Sequence, residues 1–397
     1  MQQPNLLESL IGYEPIIDRK RGVMALRVRL QAASGRAQDM SALYGEISRD
    51  WPVHSHTILL SAPHAVLDEQ ILEVAPNPNV WIEVPANLTV TPEVQQLLAA
   101  LHRKGFPLVL RGRTSLPLPP SLVPAFKMSI IHVDDDRRLQ CAEKVSPSGV
   151  RRSIGYAQDG VTSIELMERC FNTGAHAVLG WPMEDAITYR DRPSSAPDYM
   201  AIMQLIAMAD RGEDPPRMEA VIRRDPAIAY RLLRYINSVG FGLTVQVQSF
   251  RHAIMMLGYQ KLKRWLALLL ATSSKDANMR PVMLASFRRG LFLEQLIGTD
   301  DESLRDEIFI LGVFSLLDKL MKKPFEELFG TLAVPESVHE TLVHGTGQFM
   351  PYLKIVESIE QGPDLDLPDT LDSCLITLAD CNRAVLRTLQ APEIHHA

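Results

Sequence analysis

Residues 80–110 read VWIEVPANLTVTPEVQQLLAALHRKGFPLVL, and they contain one complete strand, helix and strand. Val80 to Val84 and Pro107 to Leu110 are short runs rich in β-branched side chains. Between them, Pro92 to Lys104 places Val94, Leu97, Leu98 and Leu101 on one face at helical spacing. A strand that returns to the next strand through a helix implies parallel pairing by a right-handed crossover.

The same signals recur on both sides of this unit. Further strands are expected at Thr57 to Leu60, Phe126 to Val133, Arg152 to Tyr156 and Ala175 to Leu179. A second helix is expected over Ser163 to Asn172, opened by a Thr162 to Glu165 capping box and stopped by Gly174. Six such strands predict an α/β barrel over residues 1–190 rather than an open sheet. The segment Asp191-Arg192-Pro193-Ser194-Ser195-Ala196-Pro197 then breaks all periodicity, as a linker does.

After the linker the pattern is helical, and residues 191–397 are expected to form an all-α domain. Asp225-Pro226 reads as an N-cap followed by proline at the first helical position, and that helix stops at Asn237-Ser238-Val239-Gly240. Other amphipathic stretches run over 198–210, 216–224, 249–257, 260–273, 280–297, 303–322, 336–343, 348–361 and 369–390.

Composition bounds the function classes. The chain has 397 residues, 46% hydrophobic and 22% charged, with 22 Gly, 27 Pro and four Cys, which excludes collagen-like, disordered and disulfide-stapled chains. The longest apolar run, Trp265 to Ala271, is too short to span a bilayer. The first residues show neither a basic nor a long apolar stretch, so no signal peptide is expected and a cytoplasmic location with reduced thiols is.

The net charge of −6 conceals an uneven distribution. Residues 1–190 carry 19 basic and 20 acidic side chains, residues 211–289 carry 14 and 5, and residues 290–397 carry 7 and 19. This polarity reads either as two blocks that face each other or as a docking surface for an acidic partner.

Reactive constellations are scarce. None of the eleven histidines is followed by aspartate or sits in a His-Glu-x-x-His pattern, and no Walker A or G-x-S-x-G sequence occurs. His54-Ser55-His56 reads as a solvated loop, Asp134-Asp135-Asp136 as a solvated turn, and Cys374 and Cys381 as core positions two turns apart on one helix. Gly240-Phe241-Gly242 lacks the third glycine and the preceding strand of a dinucleotide loop.

Two resemblances organise these observations. Ile222-Arg223-Arg224-Asp225-Pro226-Ala227, then Arg231-Leu232-Leu233-Arg234-Tyr235-Ile236-Asn237-Ser238, Ser249, Ala253-Ile254, Leu257-Gly258 and Trp265 resemble an HDOD domain. Tyr13-Glu14-Pro15-Ile16-Ile17-Asp18 resembles the opening strand of an EAL domain, the barrel of phosphodiesterases that hydrolyse cyclic di-GMP, with Glu14 where that family usually has glutamine. Together the halves resemble bacterial EAL–HDOD signalling proteins.

The EAL resemblance is degenerate at its metal positions. The name-giving glutamate falls at Arg27 or Val28, the second metal glutamate at Ala86, and the paired aspartates at Arg111 and Gly112. The family's lysine is kept as Lys127, but its neighbouring aspartate becomes Ser129. Gln158-Asp159-Gly160-Val161-Thr162 keeps one carboxylate, Asp159, and loses the other at Thr162, while Leu179-Gly180 replaces a glutamine-glycine pair. A two-metal phosphodiesterase needs those carboxylates to hold hard cations, and Arg111 in their place repels them. The helical half also lacks the His-Asp metal pair of related HD hydrolases.

Three functions follow as expectations. The first is a non-enzymatic regulator or adaptor without metal or cofactor, docking a protein partner or a second copy of itself through Arg223, Arg224, Arg234, Lys261, Lys263 and Arg264. The second is a cyclic di-GMP sensor without hydrolysis, using a vestigial cleft of Arg27, Arg111, Lys127 and Asp159, with Arg29 and Arg113 nearby. The third is a nucleic-acid binder through Lys261, Lys263, Arg264 and Trp265, ranked last because Leu266, Leu268, Leu269 and Leu270 make that helix look buried.

Overall fold

The computed structural model describes residues 6, 9–32, 38–52, 55–114, 117–136, 139, 154–188, 197–222, 228, 250–274, 276–330, 332, 334–362 and 366–391. The chain divides into two compact units, Met1–Asp185 with Lys354–Ala397, and Ala186–Leu353.

The first unit is built on a closed barrel of eight strands in sequence order. β1 (Ser9–Asp18) and β2 (Val23–Ala32) form an antiparallel hairpin. The Asp18 carboxylate accepts the backbone N–H groups of Lys20 and Gly22, each at 2.8 Å, and Arg21 takes φ 65° to complete the turn. β3 (Ile58–Ser61), β4 (Val80–Pro85), β5 (Leu108–Arg111), β6 (Phe126–His132), β7 (Tyr156–Asp159) and β8 (Ala177–Leu179) then pair in parallel, each with its predecessor. β8 closes on β1 antiparallel.

The six expected strands are parallel, while the two ahead of them, β1 and β2, pair antiparallel. The tight turn after Asp18 leaves room only for a hairpin, because a parallel connection needs a dozen or more residues. β7 begins at Tyr156, where the expected Arg152 to Tyr156 strand ends. Its Ala157, Gln158 and Asp159 are small or polar, so β propensity does not mark them.

Inside the barrel, Ile16, Ala25, Leu59, Trp81, Val109, Met128, Ile130, Ala157, Ala177 and Leu179 form one buried cluster. Helices α1 (Met40–Arg49), α2 (Pro92–Lys104) and α3 (Ile164–Asn172) follow the expected alternation. Proline opens α2 and Gly105, at φ 96°, closes it, while Leu97, Leu98 and Leu101 are buried. The N-cap of α3 is Ser163, whose hydroxyl accepts from Leu166 N at 3.1 Å, rather than Thr162, which donates to Glu184 at 2.8 Å.

The second unit is helical: α4 (Pro197–Asp210), α5 (Pro215–Ile222), α6 (Phe250–Ala271), α7 (Arg280–Leu296), α8 (Glu302–Phe314), α9 (Leu317–Met321), α10 (Phe325–Phe329) and α11 (Glu336–His344). α6 is broken at Gly258, where φ is 71° and ψ 166°, as the separate expected stretches 249–257 and 260–273 imply. The expected stretch 303–322 is two helices, α8 and α9. α7 and α8 touch backbone to backbone: a Cβ on Gly312 would lie 2.5 Å from Gly290 N. The helix expected after Asp225-Pro226 and the Gly240-Phe241-Gly242 turn lie outside the described residues.

α12 (Met350–Gln361) crosses the division between the units, and α13 (Leu367–Ser373) and α14 (Leu378–Gln390) follow it. The expected division at 190/191 gave everything after it to the helical domain, whereas Lys354–Ala397 groups with the barrel. α14 packs on β1, burying Cys381, Ala384, Val385 and Leu389, and the Asn382 amide donates to Ser9 O at 2.7 Å. β1 is thereby buried along nearly its whole length. The expected single helix over 369–390 is interrupted at Leu375, which takes φ 59° and is 95% exposed. Cys374 therefore caps α13 outside the core, and of these two cysteines Cys381 is the buried one, which pushes its thiol up to about 12.

Candidate functional site

Strand alternation places every second residue in the barrel. Beyond the apolar cluster, towards the carboxy-terminal ends of β2 to β7, the inward residues become Glu14, Arg27, Ser61, Glu83, Arg111 and Asp159. β1 runs the other way, so Glu14, near its amino-terminal half, reaches the same end.

Arg27 is the centre of this layer and is 3% exposed. Its Nη1 donates to Glu14 Oε1 at 3.1 Å and to Asp159 Oδ2 at 2.8 Å. Its Nη2 donates to Glu83 Oε1 at 3.0 Å, and Nε stands 2.8 Å from Glu83 Oε2, so Glu83 meets one edge of the guanidinium with both oxygens. Ser61 donates its hydroxyl to Glu83 at 2.8 Å, and Arg111 Nε lies 3.4 Å from the same carboxylate at the solvent rim.

Burial by itself lowers the pKa of Arg27, but Glu83, Asp159 and Glu14 outweigh it and hold the guanidinium charged. Glu14 is pushed up, chiefly by burial; Arg29 and Arg27 pull it back, and Asp159 adds to the rise. The arrangement closes on itself: three carboxylates converge on a cation that the chain supplies.

Sequence alone leaves Arg27 and Val28 as alternatives and puts the repelling charge at Arg111. The structure turns Arg27 into the barrel, leaves Arg111 41% exposed at the rim, and brings Asp159 against Arg27. Lys127 is not part of the group: it lies near the start of β6, its ammonium 5.3 Å from the Trp81 ring, at the opposite ends of the strands. Ala86 is buried at the end of β4, and a Cβ on Gly112 would stand 3.9 Å from its methyl, so these two positions face each other with no donor atom. Arg113 is exposed. Glu83 and Ser61 were missed. Glu83 was findable, because it shares the inward period of Trp81 in an otherwise apolar strand.

Among the described residues, no group of three or more His, Cys, Asp or Glu side chains could hold a metal ion. His54 lies outside the described residues, while His56 is buried rather than solvated, its carbonyl accepting from Trp51 Nε1 at 2.9 Å. Asp134 and Asp135 are exposed as expected for a turn, but Asp136 is buried and accepts from Gln158 Nε2 at 2.8 Å.

In the helical unit, Arg223, Arg224 and Arg234 lie outside the described residues. Lys261 is exposed, and Lys263 pairs with Asp210 at 3.1 Å. Arg264 is committed internally: it pairs with Glu294, reaches Asp306 at 3.2 Å and lies 3.8 Å from the Phe309 ring centroid. Trp265 is buried. Arg264 therefore works as a packing cation, which removes it from the expected docking surface.

The HDOD domain family matches residues 193–324. Cyclic di-GMP phosphodiesterase CdgJ of Vibrio cholerae is 23% identical over 308 residues, 76% of this chain and 70% of CdgJ. The uncharacterized protein YuxH of Bacillus subtilis is 26% identical over 181 residues, 42% of this chain and 44% of YuxH. Among solved structures, the PaMucR phosphodiesterase in complex with c-di-GMP shares 13% identity at a TM-score of 0.32, covering 44% of this chain and 94% of that one. A standalone EAL protein from Vibrio cholerae O395, in its c-di-GMP-bound form, shares 15% identity at 0.30, covering 43% and 89%. The chain thus carries an eight-stranded barrel ahead of a segment that matches the HDOD domain family, and it is similar in sequence to CdgJ over three quarters of its length.

Proposed function

We propose that this protein is a regulator in cyclic di-GMP signalling that has no phosphodiesterase activity and acts by docking another protein through its helical domain. The observation that carries the reading is the Arg27 guanidinium, seated among Glu14, Glu83 and Asp159 where a hydrolase of this family would gather cations. A charged guanidinium there repels a divalent ion and uses the carboxylates that would ligate it. Ala86, Gly112 and Ser129 at the other metal positions offer no replacement.

The filled cleft also disfavours the sensor reading, since a phosphate would have to displace carboxylates from Arg27. The docking surface is carried by Arg223, Arg224 and Arg234, with Lys261 and Lys263. A nucleic-acid role is disfavoured, because Trp265 is buried and Arg264 is paired.

The test is to incubate the full chain with cyclic di-GMP in magnesium or manganese and to titrate the dinucleotide by calorimetry. No linear product and no heat are expected; turnover abolished by Asp159→Ala would overturn the inactive reading, and micromolar binding without turnover would replace docking by sensing. Reversing Arg223, Arg224 and Arg234 to glutamate should remove a captured partner that the unaltered chain retains.

A further inference from the structure

The turn between α13 and α14 places a leucine where helix-ending turns ordinarily use glycine. Leu375 N donates to Asp372 O and Ile376 N to Leu371 O, each at 3.0 Å, and Leu375 takes φ 59°. This pair of bonds closes the last turn of α13, and its left-handed position favours glycine because a Cβ there crowds the following carbonyl. The strained side chain touches little of its own fold: at 95% it is the most exposed large apolar side chain among the described residues. Residues 366–382 hold four aspartates and no lysine or arginine, and Asp369 and Asp372 are exposed. The turn is an apolar knob on an acidic surface.

Such a knob fits an apolar seat edged by cations, and the helical unit of the same chain exposes those components. On α6, Met255 is 69% exposed and Met256 50%. Methionine is unbranched and adjusts its shape to a foreign side chain. A Cβ on Gly258 would meet nothing within 4 Å, so the break in α6 leaves open space next to the methionines in the chain. Lys261, three residues further, is exposed, and residues 211–289 carry 14 basic side chains against 5 acidic.

We propose that the chain associates with itself, Leu375 of one copy seating against Met255 and Met256 of another, with Asp369 and Asp372 facing Lys261. The two surfaces are unlike and belong to different units, so the contact runs head to tail and every copy offers both halves of it. The strain at Leu375 then has a use that the single chain does not supply. This deepens the docking reading and rests on it only for the exposed side of α6 around Lys261.

Light scattering behind gel filtration on the full chain, from about 1 to 100 μM, tests it. The mean mass of the unaltered chain should rise with concentration. Leu375→Gly should keep the mass of a single chain over the same range. Its thermal midpoint should be no lower than that of the unaltered chain, because glycine relieves the left-handed position, so the loss of association cannot come from misfolding. Met255→Ser combined with Met256→Ser should dissociate the chain from the other side. Mixing the two variants should restore a pair, since each keeps one of the surfaces. The proposal is overturned by an unaltered chain with the mass of one copy throughout, by Leu375→Gly associating as before, or by the absence of a mixed pair. A chain that stays single yet captures a different protein leaves the docking reading standing and removes this one.

Discussion

Taking the Arg27 guanidinium out of water costs several kcal/mol, which only well-placed carboxylates can offset. Glu83, Asp159 and Glu14 do so, and removing the cation would leave the three facing one another without it. Arg27→Ala should therefore destabilise the barrel by about 3–5 kcal/mol, lowering its thermal midpoint by roughly 10 °C in circular dichroism. Glu14 responds to pH. Its pKa is raised above 4.5 in the folded state, so between the ordinary and raised values the folded chain holds a proton that the unfolded chain has released, and stability falls as pH rises. Urea unfolding from about pH 4 to 8 should show this decline in the unaltered protein and a flatter profile in Glu14→Gln. An unchanged profile would mean that Arg29 and Arg27 fully compensate the burial.

Elements are fixed by different features in the two units. In the barrel, hairpin chemistry at Asp18 and Gly22 sets β1 antiparallel, and Pro92 with Gly105 bounds α2. In the helical unit the decisive contact is the α7 and α8 crossing, where Gly290 and Gly312 let the backbones touch. Ser286 adds a hydroxyl bond to Val313 O at the same crossing. A methyl on Gly312 meets main-chain atoms that cannot rotate away, so Gly312→Ala should cost about 2 kcal/mol or more. A chemical-denaturation series in which Gly312→Ala matches the unaltered chain would show that the helices slide apart freely.

At the scale of the molecule, the last 44 residues belong with the first 185, and this redistributes the charge. The barrel unit carries 21 basic and 28 acidic side chains, and the helical unit 20 and 19. Within the helical unit, residues 211–289 still carry 14 basic and 5 acidic side chains and residues 290–353 carry 4 and 11, and part of this polarity is spent on pairs such as Arg264 with Glu294 and Asp306. A chain ended at residue 353 should lose the cooperative melting of the barrel, because β1 loses α14 and the Asn382 bond to Ser9 O, while the helical unit keeps its own transition. A barrel transition unchanged by the truncation would count against the grouping. The sequence by itself determined the barrel's repeating units, most helix limits, and the emptiness of Ala86 and Gly112, since these are local periods, caps and residue types. Only the tertiary structure decided that Arg27 rather than Arg111 is the enclosed cation, that Lys127 stands at the far end, and that α14 covers β1. Those outcomes depend on strand register, closure of the sheet and a return of the chain from more than 160 residues away, none of which has a local signal.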